Sequence, residues 1–227
     1  MKSLYFIRFF DILFSFLAII ILSPLLLLIM IILKLTGERE VFFLQNRIGL
    51  KGENILVYKF VTMIKNSENI GTGSLTLKND PRILPFGRFL RKSKLNELPQ
   101  LFNVLIGDMS LIGPRPLVKR DFESYPERYH QTILSLKPGL SGLGSIIFRD
   151  EEELMSLSEE GSFHLYDKVV MPYKCELELW YVKNQTLYNY FLVIFLTIWV
   201  IISSNASLCW KCLKGLPVKP TKLNKLI

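Results

Sequence analysis

The feature that most constrains this chain is an uncharged apolar block near its N-terminus that contains a proline. The block runs from Ile12 to Leu33, and as a helix of about 33 Å it is long enough to reach across a bilayer. It is too long for a cleaved signal peptide, and no small-residue cleavage site follows it. Residues 1–36 are therefore predicted to form a membrane anchor. The anchor is either one kinked spanning helix or a hairpin that enters and leaves on the same side.

The dipeptide Ser23-Pro24 lies in the middle of this block. Pro24 lacks a backbone N–H and clashes with the carbonyl of Ile20, so the helix is predicted to kink there, and the Ser23 hydroxyl can bond the freed carbonyl. Each half would be about eleven residues, or roughly 17 Å, which is the depth of one leaflet. Basic residues flank both ends and favour a re-entrant hairpin with both ends in the cytoplasm. They are Lys2, Arg8, Lys34, Arg39, Arg47 and Lys51.

A second uncharged apolar block, over residues 187–204, is predicted to be an interfacial or membrane helix, and a basic tail follows over 205–227. The net charge of +8 suits either nucleic acid or an anionic membrane surface. The apolar blocks favour the membrane, and no zinc-finger, basic-zipper or RNA-binding signature accompanies the charge. We therefore expect membrane lipids, and no nucleic acid, as partners. The odd count of three cysteines indicates a reducing cytoplasm around the globular part.

Between the two blocks, residues 37–186 are predicted to form a small globular domain. Two β-rich runs, Val41–Gln45 and Ile55–Phe60, are separated by glycines and predict a short β-hairpin. The spacing of apolar residues predicts a helix over Glu97–Ile106, with Asn96 as its N-cap. The expected fold class is α+β and mostly helical, with an N-terminal re-entrant membrane helix hairpin, this β-hairpin and interfacial helices.

The stretch from Asn96 to Pro116 has a composition that ordinary core segments avoid. It places the acid Glu97, three amides, Asp108 and Arg115 among three prolines, and buried charges need partners. A site that handles phosphate uses this mixture, because a guanidinium binds the oxygens and carboxylates bind metal or carry chemistry.

Several motifs together resemble one known family. They are the kinked Ser23-Pro24 block, Gln45-Asn46-Arg47-Ile48-Gly49, Tyr58-Lys59-Phe60-Val61-Thr62-Met63, Asp80-Pro81-Arg82, Gly87-Arg88-Phe89-Leu90-Arg91-Lys92 and the stretch from Leu95 to Pro116. This set is similar to the bacterial sugar transferase family, the monotopic phosphoglycosyl transferases, which are polyprenyl-phosphate hexose-1-phosphate transferases. The resemblance covers nearly the whole chain, and the segment from Gly107 to Pro116 is highly specific to that family.

The resemblance implies a reaction and a location. A sugar 1-phosphate would move from a UDP-sugar to undecaprenyl phosphate, releasing UMP, with Mg²⁺ as the cofactor, as the first membrane step of surface polysaccharide or glycoconjugate synthesis. Residues 37–186 would be the catalytic domain on the cytoplasmic face of the bacterial inner membrane, and a homodimer is one assembly that the resemblance allows.

The resemblance also implies a set of site residues. The catalytic pair would fall on Asn96 and Glu97. Glu97 and Asp108 would bind the metal, with the cluster Asp150-Glu151-Glu152 as the alternative to Asp108. The basic residues suited to neutralising the phosphates are Lys59, Arg82, Arg88, Arg91 and Arg115.

Asn96 is a departure, because the family pattern has a nucleophilic aspartate at this position and an amide cannot serve as one. Two functions follow from the sequence. One is an active transferase in which Glu97 provides the carboxylate chemistry. The other is a catalytically silent homologue that acts as a membrane scaffold or substrate-binding partner.

Overall fold

The computed structural model describes residues 2–70, 76, 79–156 and 162–223. The loop around residues 66–79 and the end of the basic tail therefore lie partly outside the described residues. The longer helices are α1 (Lys2–Leu35), α2 (Pro85–Lys92), α3 (Gln100–Ile106), α9 (Met171–Lys183) and α10 (Leu187–Ser203). The shorter helices are α4 (Lys119–Glu123), α5 (Glu127–Ile133), α6 (Leu143–Ile147), α7 (Glu151–Ser156), α8 (Ser162–Leu165) and α11 (Leu208–Cys212).

Within the described residues, four strands form two small sheets. Strands β1 (Phe42–Ile48) and β2 (Asn54–Phe60) pair antiparallel, which confirms the predicted hairpin. Strands β3 (Ser110–Ile112) and β4 (Gly139–Ser141) pair in parallel. The described part of the chain is thus mostly helical with little sheet, as the expected fold class requires.

The helix α1 continues through Pro24. Pro24 has no N–H and cannot donate a hydrogen bond to the carbonyl of Ile20. That carbonyl accepts a hydrogen bond of 2.8 Å from the Ser23 hydroxyl instead. The predicted role of Ser23 is confirmed. Within the described residues, α1 is the one helix long and apolar enough to cross a membrane.

The first third of α1 is fastened to the globular part by two charged side chains. The guanidinium of Arg8 donates to the carbonyls of Val104 and Leu105, at 2.6 and 2.8 Å, and so satisfies open carbonyls near the C-terminus of α3. The buried carboxylate of Asp11 accepts hydrogen bonds from the Leu111 N–H at 2.9 Å and the Tyr190 hydroxyl at 2.8 Å. The anchor is therefore bound to α3, β3 and α10 at once.

The last third of α1 packs against the same globular part. Leu26, Ile29 and Leu33 are buried in one cluster with Phe60 and Leu90. Both ends of α1 thus contact the domain that carries the β-hairpin. The remaining face of the helix is a row of exposed apolar side chains, among them Phe9, Phe16, Ile21, Leu28 and Ile31.

The main core lies between α9, α10 and the short helix α6. One stripe of α10, formed by Tyr190, Val193, Leu196 and Val200, is fully buried in it. These positions recur every three or four residues, which is the spacing of one helix face. The second apolar block is therefore a helix with one side inside the domain.

The start of α3 differs from the prediction. The helix begins at Gln100 with Pro99 in the cap position, and Asn96 lies in a preceding 3₁₀ turn over Leu95–Glu97 without capping α3. The prediction of Asn96 as an N-cap was wrong, because the turn and Pro99 separate Asn96 from the first turn of the helix. This turn holds Asn96 and Glu97 beside the strand β2 rather than on the helix.

Candidate functional site

A cavity of about 1090 Å³ lies between the β-hairpin, α2, the turn at Leu95–Glu97, the loop after β3 and α10. Six of the residues that the sequence predicted for the site line it: Lys59, Arg88, Arg91, Asn96, Glu97 and Arg115. Residues that lie far apart in the chain therefore share one site. Their roles stay predictions, but the geometry places them within reach of a single ligand.

The centre of the cavity is an ion pair between Glu97 and Arg115. The Glu97 Oε1 lies 3.7 Å from the Arg115 Nη2, and the other terminal nitrogen of Arg115 donates to the Ser145 hydroxyl at 3.2 Å. Burial by itself would raise the pKa of Glu97, but the positive charges of Arg115 and Lys59 outweigh it and lower that pKa. Glu97 is therefore ionised at neutral pH, with its carboxylate facing the cavity.

The floor of the cavity holds two further cations on neighbouring strands. The Gln45 Oε1 accepts hydrogen bonds from Arg47 Nη2 and, at 3.4 Å, from Lys59 Nζ. Burial, reinforced by the nearby Arg47, lowers the pKa of Lys59 well below its usual range, although Glu97 opposes the shift. Arg47 also donates to the carbonyl of Pro116 at 3.1 Å. The hairpin is thus tied to the loop that presents Arg115.

Asn96 lines the cavity but is almost completely buried. Its carbonyl oxygen has no hydrogen-bond partner among the described residues. An amide nitrogen is a donor and an amide oxygen an acceptor, and neither gains or loses a proton at neutral pH. Asn96 can therefore orient a ligand, while Glu97 beside it carries the negative charge.

The structure does not bring Arg82 or Asp108 to the cavity, within the described part of the chain. Arg82 is buried, pairs with Asp80 at 2.6 Å and donates to the carbonyls of Ser67 and Ile70. Asp108 follows Gly107, which lies beside the Arg8 guanidinium at the anchor, and faces the amide of Asn103. Arg82 holds a turn in place, and Asp108 lies 3.5 Å from the Asn103 amide, which also bonds the strand β2.

The arrangement also contains a buried acid that sequence reasoning missed. Glu178 on α9 is 2% exposed, and its carboxylate faces the backbone N–H groups of Arg115 and Gly144. Burial raises the pKa of Glu178 to about 7, against the lowering by these N–H groups and by the Arg115 charge. The Glu178 carboxylate therefore holds the backbone of the loop that carries Arg115. Its position near Glu176, in a helix of mixed apolar and charged residues, gave no sequence signal.

A second ion pair closes one end of the cavity. The Lys174 ammonium, also on α9, lies 2.6 Å from the Glu151 carboxylate. It also faces the rings of Phe148 and Tyr166, at 5.2 and 5.6 Å from their centroids. A cation over an aromatic face is favourable in a desolvated place. The pair joins α7 to α9 across the cavity wall.

The metal site predicted on Glu97 and Asp108 is not assembled as a protein cage. No group of three or more His, Cys, Asp or Glu side chains converges among the residues that the structure describes. Mg²⁺ often binds through only one or two carboxylates together with substrate phosphates and water. Glu97, as an ionised carboxylate facing the cavity, fits that mode, whereas Asp108 does not reach the cavity.

Comparison with known proteins gives a consistent result. A family model described as bacterial sugar transferase matches residues 2–204. The chain is 36% identical over 214 residues to the undecaprenyl-phosphate galactose phosphotransferase of Salmonella typhimurium, covering 88% of this chain and 41% of that protein. It is 35% identical to the UDP-glucose:undecaprenyl-phosphate glucose-1-phosphate transferase of Klebsiella pneumoniae, covering 83% of this chain and 38% of that protein.

A shorter relative matches over most of its length. The exopolysaccharide production protein ExoY of Rhizobium meliloti is 32% identical over 214 residues, covering 88% of this chain and 87% of that protein. The chain spans about two fifths of the length of several of the longer relatives, including those of Salmonella and Klebsiella. The matched region includes the whole cavity described above.

Proposed function

Because the chain belongs to the bacterial sugar transferase family, we propose that it transfers a sugar 1-phosphate from a UDP-sugar to undecaprenyl phosphate and releases UMP. This would be the first membrane step in the synthesis of a surface polysaccharide or another glycoconjugate. The observation that carries the proposal is the ionised Glu97 paired with Arg115, in a cavity that further cations line beside a membrane anchor. The names of the relatives supply the substrate classes.

The cations account for substrate binding. A UDP-sugar brings a diphosphate, and the acceptor lipid brings a phosphate, so several negative charges meet in one place. Arg88, Arg91 and Arg115 line the cavity and can bind phosphate oxygens, the arginine fork matching two oxygens at a time. Charge that builds up as the phosphorus is attacked is stabilised by donors already in place.

Glu97 is the carboxylate that we propose for the chemistry, and two routes use it. In the first, a Glu97 oxygen attacks the β-phosphorus of the UDP-sugar, the bond to the UMP oxygen breaks, and the electron pair leaves with UMP. The lipid phosphate then attacks the same phosphorus and frees Glu97. In the second route the lipid phosphate attacks directly, and Glu97 assists. The lowered pKa of Glu97 keeps it unprotonated, as both routes require.

Magnesium is part of the proposal. When bound, the ion would neutralise diphosphate oxygens, and Glu97 is the residue of this chain that would hold it together with substrate phosphates and water. The protein's own contribution is to keep this carboxylate ionised beside Arg115.

The membrane arrangement that we propose is a re-entrant anchor at the cytoplasmic face of the inner membrane. The two ends of a helix that crosses a bilayer lie at opposite surfaces, roughly 30 Å apart. Here Arg8 near one end and Leu33 near the other both contact the globular part. That contact supports an anchor that enters and leaves on one side, with the cavity held at the surface where the lipid phosphate lies.

Release of UMP tests the proposed function directly. The purified chain, in detergent or lipid nanodiscs with Mg²⁺, would be given undecaprenyl phosphate and UDP-glucose, UDP-galactose or UDP-N-acetylgalactosamine in turn. With at least one of them we expect sustained release of many UMP per enzyme, and this multiple turnover should require the lipid phosphate. Absence of UMP with every donor would favour the silent scaffold, for which Asn96 is the one supporting observation.

A further inference from the structure

One wall of the cavity is apolar, although the opposite wall carries the charges. The helix α10 contributes Ile194, Thr197, Ile198, Val200 and Ile201 to the lining. No charged residue occurs in α10. The phosphates, ribose and sugar of a UDP-sugar are polar, and its uracil is one small planar ring, so this ligand by itself would cover only part of such a wall.

The apolar wall reaches from the cavity to the outer surface. Ile198 and Ile201 both line the cavity and are 54% and 50% exposed. They lie next to the buried stripe of α10 and form a separate face of the helix. The cavity therefore has an opening whose edge is made of isoleucine side chains, next to the exposed apolar surface that would meet a membrane.

Two hydrogen bonds fix this wall against the charged part of the cavity. The Thr197 hydroxyl bonds the Ser141 hydroxyl on β4 at 2.9 Å. The Arg149 guanidinium donates to the carbonyl of Val200 at 2.9 Å, near the C-terminal end of α10. The helix is thus bound to the same loops that surround Arg115. The distance between the apolar wall and the phosphate-binding residues is set by the fold.

The cavity measures about 1090 Å³, which lies at the upper end of the range of about 300–1,000 Å³ that is usual for small-molecule sites. A ligand that is anionic at one end and hydrocarbon at the other would match both walls at once. Exposed isoleucines beside a polar cavity are unfavourable in water and become favourable once hydrocarbon covers them.

We propose that the face of α10 formed by Ile194, Ile198 and Ile201 binds the isoprenoid chain of the lipid phosphate acceptor, with its phosphate directed towards Arg115. The inference rests on the proposed function and adds to it a binding role for the second apolar helix. The ligand that we propose for this face is the substrate lipid itself. Bulk membrane lipid and a second copy of the chain are the alternative ligands for the same face. The charged end of the cavity matches the lipid phosphate, and the apolar wall matches its hydrocarbon chain. A free sugar phosphate has no hydrocarbon chain to place against that wall.

The test compares acceptors of different chain length in the full chain reconstituted in nanodiscs. UMP release would be measured with a long-chain polyprenyl phosphate and with farnesyl phosphate, at saturating UDP-sugar, for the wild type and Ile198→Asn. The matched control is Ile202→Asn, which makes the same change on the same helix at a residue that is 79% exposed and outside the cavity lining. Ile198→Ala with Ile201→Ala is the second variant, because it removes hydrocarbon without adding a polar group to the helix.

We expect Ile198→Asn to raise KM for the long-chain acceptor about tenfold, and the double alanine variant by a similar factor. KM for the UDP-sugar should stay unchanged, the rise with farnesyl phosphate should be smaller, and Ile202→Asn should behave as wild type. Equal effects of Ile198→Asn and Ile202→Asn, or equal effects on both acceptors, would overturn the inference and assign the face to bulk lipid. A wild-type protein that releases no UMP with either acceptor would instead refute the proposed function on which the inference rests.

Discussion

Replacement of Arg115 by lysine should lower turnover about 10- to 100-fold even though the charge is kept. Pro114 and Pro116 restrict the backbone on both sides of Arg115. Its guanidinium lies 3.7 Å from the Glu97 carboxylate and 3.2 Å from the Ser145 hydroxyl. The side chain is 33% exposed, towards the cavity. The planar group is therefore already oriented when a phosphate arrives.

The expected magnitude follows from the number of bonds that a lysine can replace. A hydrogen bond to a charged group contributes about 1.5–3 kcal/mol, and an arginine fork makes two of them to one phosphate. A lysine ammonium keeps one at best, so turnover should fall about 10- to 100-fold, given about 1.4 kcal/mol per tenfold. Alanine removes both bonds and the main counter-charge of Glu97, so by the same arithmetic it should turn over about tenfold or more below the lysine variant.

The assay is UMP release under saturating donor and acceptor, with thermal melting recorded for each variant. Arg128→Lys is the matched control, because this exposed guanidinium lies over the Tyr129 ring and takes no part in the cavity. It should retain wild-type turnover. An Arg115→Lys protein that turns over at nearly the wild-type rate would refute the reasoning and show that charge alone suffices.

Three further outcomes are expected. Burial raises the pKa of Glu178 from its ordinary 4.5 to about 7, so the stability that this group contributes is complete below about pH 4.5 and is lost as pH rises through 7. Glu178→Gln should therefore make the melting temperature depend less on pH across that interval. An unchanged pH dependence in the variant would assign the effect to other groups. Pro24→Leu restores the missing N–H and should convert the anchor towards a helix that spans the membrane. A cysteine placed at position 3 should then be labelled from the periplasm in the Pro24→Leu variant and not in the protein that keeps Pro24. Asn96→Asp should keep measurable UMP release, because it adds a carboxylate without removing Glu97, and complete loss of activity would show that the amide itself is required.

Local chemistry explains why part of the site could be predicted from the sequence. Lys59, Glu97 and Arg115 belong to short motifs of unusual composition, and the structure brings them into one cavity. Ser23 bonds the Ile20 carbonyl because a proline one position later removes the normal donor, which is a relation within a single helix turn. Such features depend on neighbours in sequence and are visible there.

Other features depend on contacts between distant segments. Asp108 stands in the same motif as Arg115, yet the left-handed turn at Gly107 directs the chain towards the anchor, and no pattern of residue types encodes that direction. Glu178 lies 63 positions after Arg115, in a helix that also carries Glu176 and two lysines, and only the packing of α9 under the loop gives it a role. The two faces of α10 are equally apolar in sequence, so only tertiary packing separates the buried stripe from the cavity wall.

In the proposed mechanism, Glu97 is the carboxylate that carries the chemistry in a chain that has an amide at position 96. The most direct measurement is UMP release by Glu97→Gln, compared with the wild type and with Glu40→Gln, a change on the cavity rim at a carboxylate paired with Lys65. Intact-protein mass after incubation with UDP-sugar alone would show whether Glu97 carries the phosphosugar. We predict UMP from the wild type and from Glu40→Gln and none from Glu97→Gln. An active Glu97→Gln protein would contradict the central claim.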